Sequence, residues 1–305
     1  MSTVAVIKQL DLKPDTKPGK NDYKQILKAG LSILGGSNPV DYIKGMFSGS
    51  RIGMKTNCLT GKLNSTPVAL TEAISELLTD SGIDDNDIMI WERTNRELIS
   101  AGFTLNASSF GIQVIGTDSN GVDYGRTFYS SGDVNSLISR TMTDMVDINI
   151  NLPVLKDHSL AGLSGGLKNM YGAIHNPNKY HDNNCDPFAA HISNLEPIKK
   201  KNRLTVMDAI KVQYNGGPGY DSRYHAPYGA VLFSEDPVAI DRVALEILEK
   251  IRKLNKMPPL EKAGRPVKYL KSAADLKLGV EDLDLIDIKV IEINSRGNTQ
   301  SGSLF

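Results

Sequence analysis

Val146-Asp147-Ile148-Asn149-Ile150-Asn151-Leu152-Pro153 runs through Val154 into Leu155-Lys156-Asp157-His158-Ser159-Leu160-Ala161-Gly162-Leu163-Ser164-Gly165-Gly166-Leu167-Lys168-Asn169-Met170-Tyr171-Gly172. The first part alternates apolar and polar residues with period two, as a strand does, and stops at a proline. The second part is glycine-rich and then opens a helix, which places it at the carboxyl end of a strand, where ligands sit in open α/β sheets. Outward from this point the short apolar runs recur: Val4-Ala5-Val6-Ile7, Ile52-Gly53-Met54-Lys55, Ile88-Met89-Ile90-Trp91, Ile112-Gln113-Val114-Ile115, Leu204-Thr205-Val206-Met207 and Ala230-Val231-Leu232-Phe233. Helical spacing lies between them, in Tyr23, Ile26, Leu27, Leu31 and Leu34, and in Leu70, Ile74, Leu77 and Leu78 after Thr66-Pro67. Asp236-Pro237 opens a further helix. This order predicts an α/β fold with a central, mostly parallel sheet flanked by helices. The expected organisation is an N-terminal strand and helical elaboration over 1–50, a main α/β domain over 51–293 and a flexible Ser/Gly/Asn-rich tail over 294–305.

The chain has 305 residues, 40% of them hydrophobic, and 35 Lys+Arg balance 35 Asp+Glu. That is the make-up of a soluble globular protein with a sizeable core. Zero formal net charge gives no long-range attraction to phosphate backbones or anionic lipid, so neither nucleic acid nor a membrane is an expected partner. Lys199-Lys200-Lys201 is too short a basic run to change that. Residues 1–20 lack a signal-peptide pattern, and the sequence as written reads as cytoplasmic. Two cysteines are too few for a disulfide scaffold or a four-cysteine metal cage. A homo-oligomer stays open.

The chemistry concentrates in one half of the chain. Gly162, Ser164, Gly165 and Gly166 let backbone amides approach an anion, and Lys168 follows one turn into the helix. Neither the phosphate-loop nor the dinucleotide glycine pattern is present. The alternative is a tight strand-to-helix connection with a solvated lysine. His158, His175, His181 and His191 fall nearby with Lys156, Asp157, Asp182 and Cys185. Histidines there can act as bases or metal ligands, and neighbouring lysines lower each other's pKa; a structural role is the alternative for any one of them. Cys58, in Lys55-Thr56-Asn57-Cys58, and Cys185, beside His181, could meet as a disulfide or share a metal, or could be unrelated thiols. Glu92 and Asp208 stand at strand ends, where carboxylates can face the same crevice or simply cap and pair locally.

Lys55-Thr56-Asn57, Asn151 to His158, Gly165 to Gly172, Val206-Met207-Asp208-Ala209-Ile210 and Ser234 to Asp241 together resemble the bacterial and archaeal family known as domain of unknown function 362, over roughly residues 50–250. The resemblance implies an α/β domain of generally unassigned activity. Some members carry ferredoxin-like modules, which two cysteines do not supply, and others carry twin-arginine export signals, so an exported location is the alternative if such a signal precedes this sequence. A second, local resemblance is to lactate racemase, whose nickel pincer cofactor is tethered to a lysine. It rests on His158, Gly162, Ser164, Gly165, Gly166, Lys168 and Gly172, with Tyr171 standing where that enzyme has proline. It implies Lys168 as a tether, with His158 and His181 or His175 as ligand and proton carriers.

The expected site is a crevice formed by Asn57, Glu92, Lys156, His158, Lys168, His181 and Asp208. Its catalytic residues are Lys168, His158, Lys156 and Asp208. Gly162, Ser164, Gly165, Gly166, Lys168 and Asn57 hold cofactor or anion, and His158, His181, His175, Cys185 and Cys58 are the candidate metal ligands. The expected function is an isomerase or oxidoreductase that uses a bound metal ion or metal-containing cofactor on a small anionic substrate, by proton or hydride transfer. The alternative is a non-catalytic metal- or anion-binding carrier.

Overall fold

The computed structural model describes residues 1–11, 16–36 and 38–305. The chain runs through β1 (Ser2–Gln9), α1 (Lys20–Gly35), α2 (Pro39–Phe47), β2 (Ile52–Lys55), α3 (Val68–Asp80), β3 (Ile88–Glu92), α4 (Asn95–Ala101) and β4 (Gln113–Gly116). A separate hairpin follows, of β5 (Tyr129–Ser131) and β6 (Val134–Ser136), and then β7 (Ile148–Asn151), β8 (Val154–His158), β9 (Gly162–Ser164) and α5 (Gly166–Asn169). The rest is α6 (Phe188–Ser193), α7 (Glu196–Lys201), β10 (Asn202–Gln213), β11 (His225–Ser234), α8 (Pro237–Leu254), α9 (Tyr269–Asp275), β12 (Ile286–Ile293) and β13 (Thr299–Ser301).

The described strands other than β5 and β6 form one sheet in the order β13-β12-β1-β11-β10-β7-β2-β3-β4, with β8 also on β10 and β9 folded back on β8. From β10 through β7, β2 and β3 to β4 every pairing is parallel. β11 runs antiparallel to both β10 and β1, so the sheet is mixed, though mostly parallel. β10 is long enough to serve two neighbours in turn: Asn202–Thr205 pairs with β7, and Asp208–Gln213 with β8. Pro153 separates those two partners because a proline has no N–H for a ladder; its carbonyl accepts from Asp208 N at 2.9 Å.

Buried side chains explain the layering. Tyr23, Ile26, Leu27, Phe47, Leu70 and Leu77 from α1, α2 and α3 cover one face, where they meet Ile52, Met54 and Ile150. Val243, Ala244, Ile247 and Leu248 of α8 cover Val4, Val6 and Leu232 on the other. α8 begins where expected: the Asp236 carboxylate caps Val238 N and Ala239 N at 2.9 and 2.8 Å, ahead of Pro237 at the first position. A third cluster, with Trp91, Met142, Met170, Tyr171, Tyr180 and Tyr269, packs the segment after β9 against the sheet.

Two local expectations change. The glycine-rich stretch after residue 154 is not a single loop, because β8 and β9 form a hairpin that turns at Ser159–Ala161. The tail also pairs: Thr299–Ser301 lies antiparallel on β12, and the Leu304 carbonyl accepts from Tyr228 Oη at 2.8 Å.

Candidate functional site

β2 and β3 end side by side, and their last residues, Lys55 and Glu92, form a buried ion pair. Lys55 Nζ also donates to the Thr56 carbonyl at 2.6 Å, while the Glu92 carboxylate accepts from the backbone N–H of Cys58 at 2.9 Å and of Arg93 at 2.8 Å. Each charge is thus hydrogen-bonded beyond its partner, which a pair buried away from water requires. Gly172 lies against them, and a Cβ there would come within 2.8 Å of Lys55 Nζ. Lys55 and Glu92 floor a cavity of about 500 Å³, walled by the β8–β9 hairpin, α5 and the loop 177–181.

Strand alternation divides β8. Lys156 and His158 line the cavity, whereas Asp157 accepts from Arg265 Nη1 at 2.6 Å and from Gly217 N at 3.1 Å. Lys156 Nζ donates to Asn57 Oδ1 at 2.8 Å and to the Asn64 carbonyl at 3.0 Å. Asn57 Nδ2 then donates to Asn169 Oδ1 at 3.0 Å, Asn169 Nδ2 to Asn151 Oδ1 at 2.7 Å, and Asn151 Nδ2 to the Gly166 carbonyl at 2.9 Å. This relay of amides ties β8 to α5, because each amide spends its oxygen on one neighbour and its nitrogen on the next.

Hydrogen bonds settle both imidazole tautomers. His158 Nδ1 accepts from the backbone N–H of Leu160 and of Ala161, each at 3.1 Å, so the ring proton sits on Nε2. Burial, reinforced by the charge of Lys168, pushes the His158 pKa down to about 2, which makes it a neutral donor. His181 has the opposite tautomer. Its Nδ1 donates to the Pro177 carbonyl at 3.0 Å, which leaves the Nε2 lone pair facing Lys168 Nζ at 3.0 Å. The two rings stack at 6.0 Å between centroids. Lys168 Nζ also lies 3.4 Å from the centroid of the Tyr171 ring, a cation–π arrangement. Burial lowers the pKa of Lys156 and of Lys168 to about 8 each.

The structure therefore brings together Asn57, Cys58, Glu92, Lys156, His158, Ser164, Lys168 and His181 around one cavity. It corrects the other expectations. Asp208 does not line the cavity; its carboxylate accepts from Tyr23 Oη of α1 at 3.2 Å, and burial raises its pKa to about 6. The amides of the glycine loop are not free for an anion, because the Asp241 carboxylate accepts from Gly166 N at 2.6 Å and Leu167 N at 3.0 Å. Gly165 is glycine for the same reason, since a Cβ there would lie 2.4 Å from Asp241 Oδ1, and Gly162 turns the hairpin at φ +76°. His175 meets Ser136 Oγ at 3.3 Å and the edge of Tyr124, apart from the cavity lining. Cys58 and Cys185 are free buried thiols, and only Cys58 lines the cavity; Cys185 Sγ reaches the His181 carbonyl at 3.9 Å.

The five-residue metal set consequently does not assemble: among the described residues, no three His, Cys, Asp or Glu side chains are arranged to hold an ion. A group anchored on Lys168 fits better, since one imidazole lone pair, His181 Nε2, already faces that amine. Residues that sequence reasoning passed over are Lys55, Asn169 and Asp241. All three stand in the motifs quoted above, and Lys55 at the last position of a strand was the most legible of them.

Residues 52–246 match the family model described as domain of unknown function (DUF362). No curated protein matches the chain. A Thermotoga maritima protein, solved by crystallography as a Northeast Structural Genomics Consortium target, is similar at 12% identity and a TM-score of 0.42, over 81% of this chain and 61% of that one. This chain thus spans less than two thirds of that protein's length. No helix among the described residues is long and apolar enough to cross a membrane.

Proposed function

The chain belongs to the DUF362 family, and for this member of it we propose an enzyme that binds a small anion and transfers a proton at Lys168 and His181. One observation carries the reading. Lys156 and Lys168 are 1% and 7% exposed, line the same cavity, and make no ion pair among the described residues. Two desolvated ammonium groups without a counter-charge are costly, and a ligand carboxylate or phosphate relieves that cost. Lys55 does not need one, because Glu92 neutralises it.

The remaining groups have distinct tasks. Lys156, steadied by Asn57 and Asn64, presents its ammonium to the anion. His158, locked as a neutral Nε2–H donor, suits a developing oxyanion without competing for protons. Lys168, with a pKa close to neutral pH, exchanges a proton with His181 over 3.0 Å. A lysine-anchored metal-containing cofactor is the second reading, favoured by the same Lys168–His181 contact; such a group would supply hydride transfer in place of proton transfer.

Thermal unfolding with acetate, lactate, pyruvate or phosphate at pH 7 tests binding, and proton NMR in deuterium oxide tests exchange of the C–H next to a carboxylate. Stabilisation that is lost in Lys156→Met, together with exchange that is lost in Lys168→Met, is the expected result. Binding without exchange for any acid would favour the carrier alternative, and no stabilisation by any anion would defeat the reading.

A further inference from the structure

The three cavity lysines differ in what holds them. Lys55 is paired with Glu92, and Lys156 is fixed by two oxygen acceptors. Lys168 Nζ has a single polar partner among the described residues, His181 Nε2 at 3.0 Å, and its other contact is the face of Tyr171 at 3.4 Å. An amine kept at 7% exposure with no oxygen acceptor is poorly suited to be only a fixed charge. Next to an imidazole lone pair, it is suited to be a nucleophile. We propose that Lys168 forms a Schiff base, and that the anion taken by this crevice is a 2-oxo acid whose keto carbon condenses with the lysine amine. This inference rests on the small-anion reading above and names its substrate class.

The step balances without an added oxidant or reductant. His181 Nε2 takes a proton from the lysine ammonium, and Nζ then attacks the keto carbon; a C–N bond forms as the carbonyl π pair moves onto oxygen. The His181 imidazolium returns its proton to that oxygen, and His158 Nε2–H, which lines the same cavity, is available to it as a hydrogen-bond donor. His181 Nε2, neutral again, takes a second N–H proton and hands it to the hydroxyl, which departs as water as the nitrogen lone pair closes the iminium. Ammonium and ketone have become iminium and water. Tyr171 offers its ring face to the iminium as it does to the ammonium, and the Lys156 ammonium is available to the substrate carboxylate. The lowered pKa of Lys168 adds support, since more of the amine is free at neutral pH.

The test incubates the full chain with pyruvate, adds sodium cyanoborohydride, and reads intact mass followed by peptide mapping. The expected result is one reduced pyruvyl adduct per chain, located at Lys168 and lost in Lys168→Arg and in Lys168→Met. Mapping of the unsubstituted chain decides the matter even if a variant fails to fold. Acetate and phosphate carry no keto carbon, so thermal stabilisation by them reports the anion site alone. Stabilisation by these two without an adduct at Lys168 would overturn the Schiff base while leaving the anion site standing. Neither stabilisation nor adduct would overturn both, and adducts spread evenly over surface lysines would overturn the assignment to Lys168.

Discussion

The Asp241 carboxylate accepts the backbone N–H of Gly166 at 2.6 Å although 75 residues separate them in sequence. With its second oxygen on Leu167 N, it occupies the start of α5, where exposed amides would otherwise favour a bound anion. The glycine loop thus serves an internal carboxylate, and the lysines beyond it line the cavity with positive charge. Asp241→Asn keeps the volume but turns an NH₂ group toward one of the two amides. A loss of about 1–3 kcal/mol in unfolding free energy is expected, the cost of an unmet buried donor. Urea titration checks it, and an unchanged midpoint would remove Asp241 from this role.

The Lys55–Glu92 pair supports a second prediction. Lys55→Met leaves the Glu92 carboxylate buried with neutral donors alone, the N–H groups of Cys58 and Arg93 and the Thr56 hydroxyl, and breaking such a pair from one side costs about 3–5 kcal/mol. Glu92→Gln should cost less than Lys55→Met, because the amide oxygen can still accept from Cys58 N. Chemical denaturation of both variants checks the order. Gly172→Ala should also destabilise, since its Cβ would crowd Lys55 Nζ.

Much of this architecture could be read from the chain. Short apolar runs mark β1, β3 and β4, and Asp236-Pro237 marks the start of α8, because these signals are local. Lys156, His158 and Lys168 were recognisable as one neighbourhood because they sit within one strand–hairpin–helix segment. What could not be read depends on contacts between distant residues. A glycine cluster before a helix looks the same whether a ligand or Asp241 fills it. Asp208 ends an apolar run as a crevice carboxylate would, yet its partner Tyr23 lies 185 residues away on α1. His175 and His181 lie close in sequence, yet the Pro177 carbonyl fixes the His181 ring beside Lys168 while His175 turns away to Ser136 and Tyr124.

The buried amines predict a pH dependence of stability. In the unfolded chain Lys156 and Lys168 titrate near 10.5, and in the fold near 8. Between those values the unfolded chain binds more protons, so stability rises as pH rises from about 8 to about 10.5, by about 3 kcal/mol for each lysine at most. Lys156→Met and Lys168→Met should each flatten that rise. A bound anion should flatten it as well, because it stabilises the ammonium forms. Urea midpoints at pH 7.5 and pH 10 check the sign, and identical slopes in the unsubstituted chain and both variants would show that these amines are not desolvated.

His158 gives the sharpest spectroscopic prediction. Its Nδ1 receives two backbone N–H groups, and protonating that nitrogen would break both bonds inside a cavity that already holds three lysines. The ring should therefore stay neutral, with its proton on Nε2, throughout pH 5–9; the depressed pKa has the same sign, since the charged form is lost well below that range. Long-range ¹H–¹⁵N correlation spectra separate this tautomer from the imidazolium through the two nitrogen shifts. His181, with the other tautomer, serves as an internal contrast in the same spectrum. His158→Gln should keep a donor near the crevice and preserve anion binding while weakening any step that builds charge on substrate oxygen, so turnover should fall more than affinity. An imidazolium signature for His158 at pH 6 would reject its role as a neutral donor.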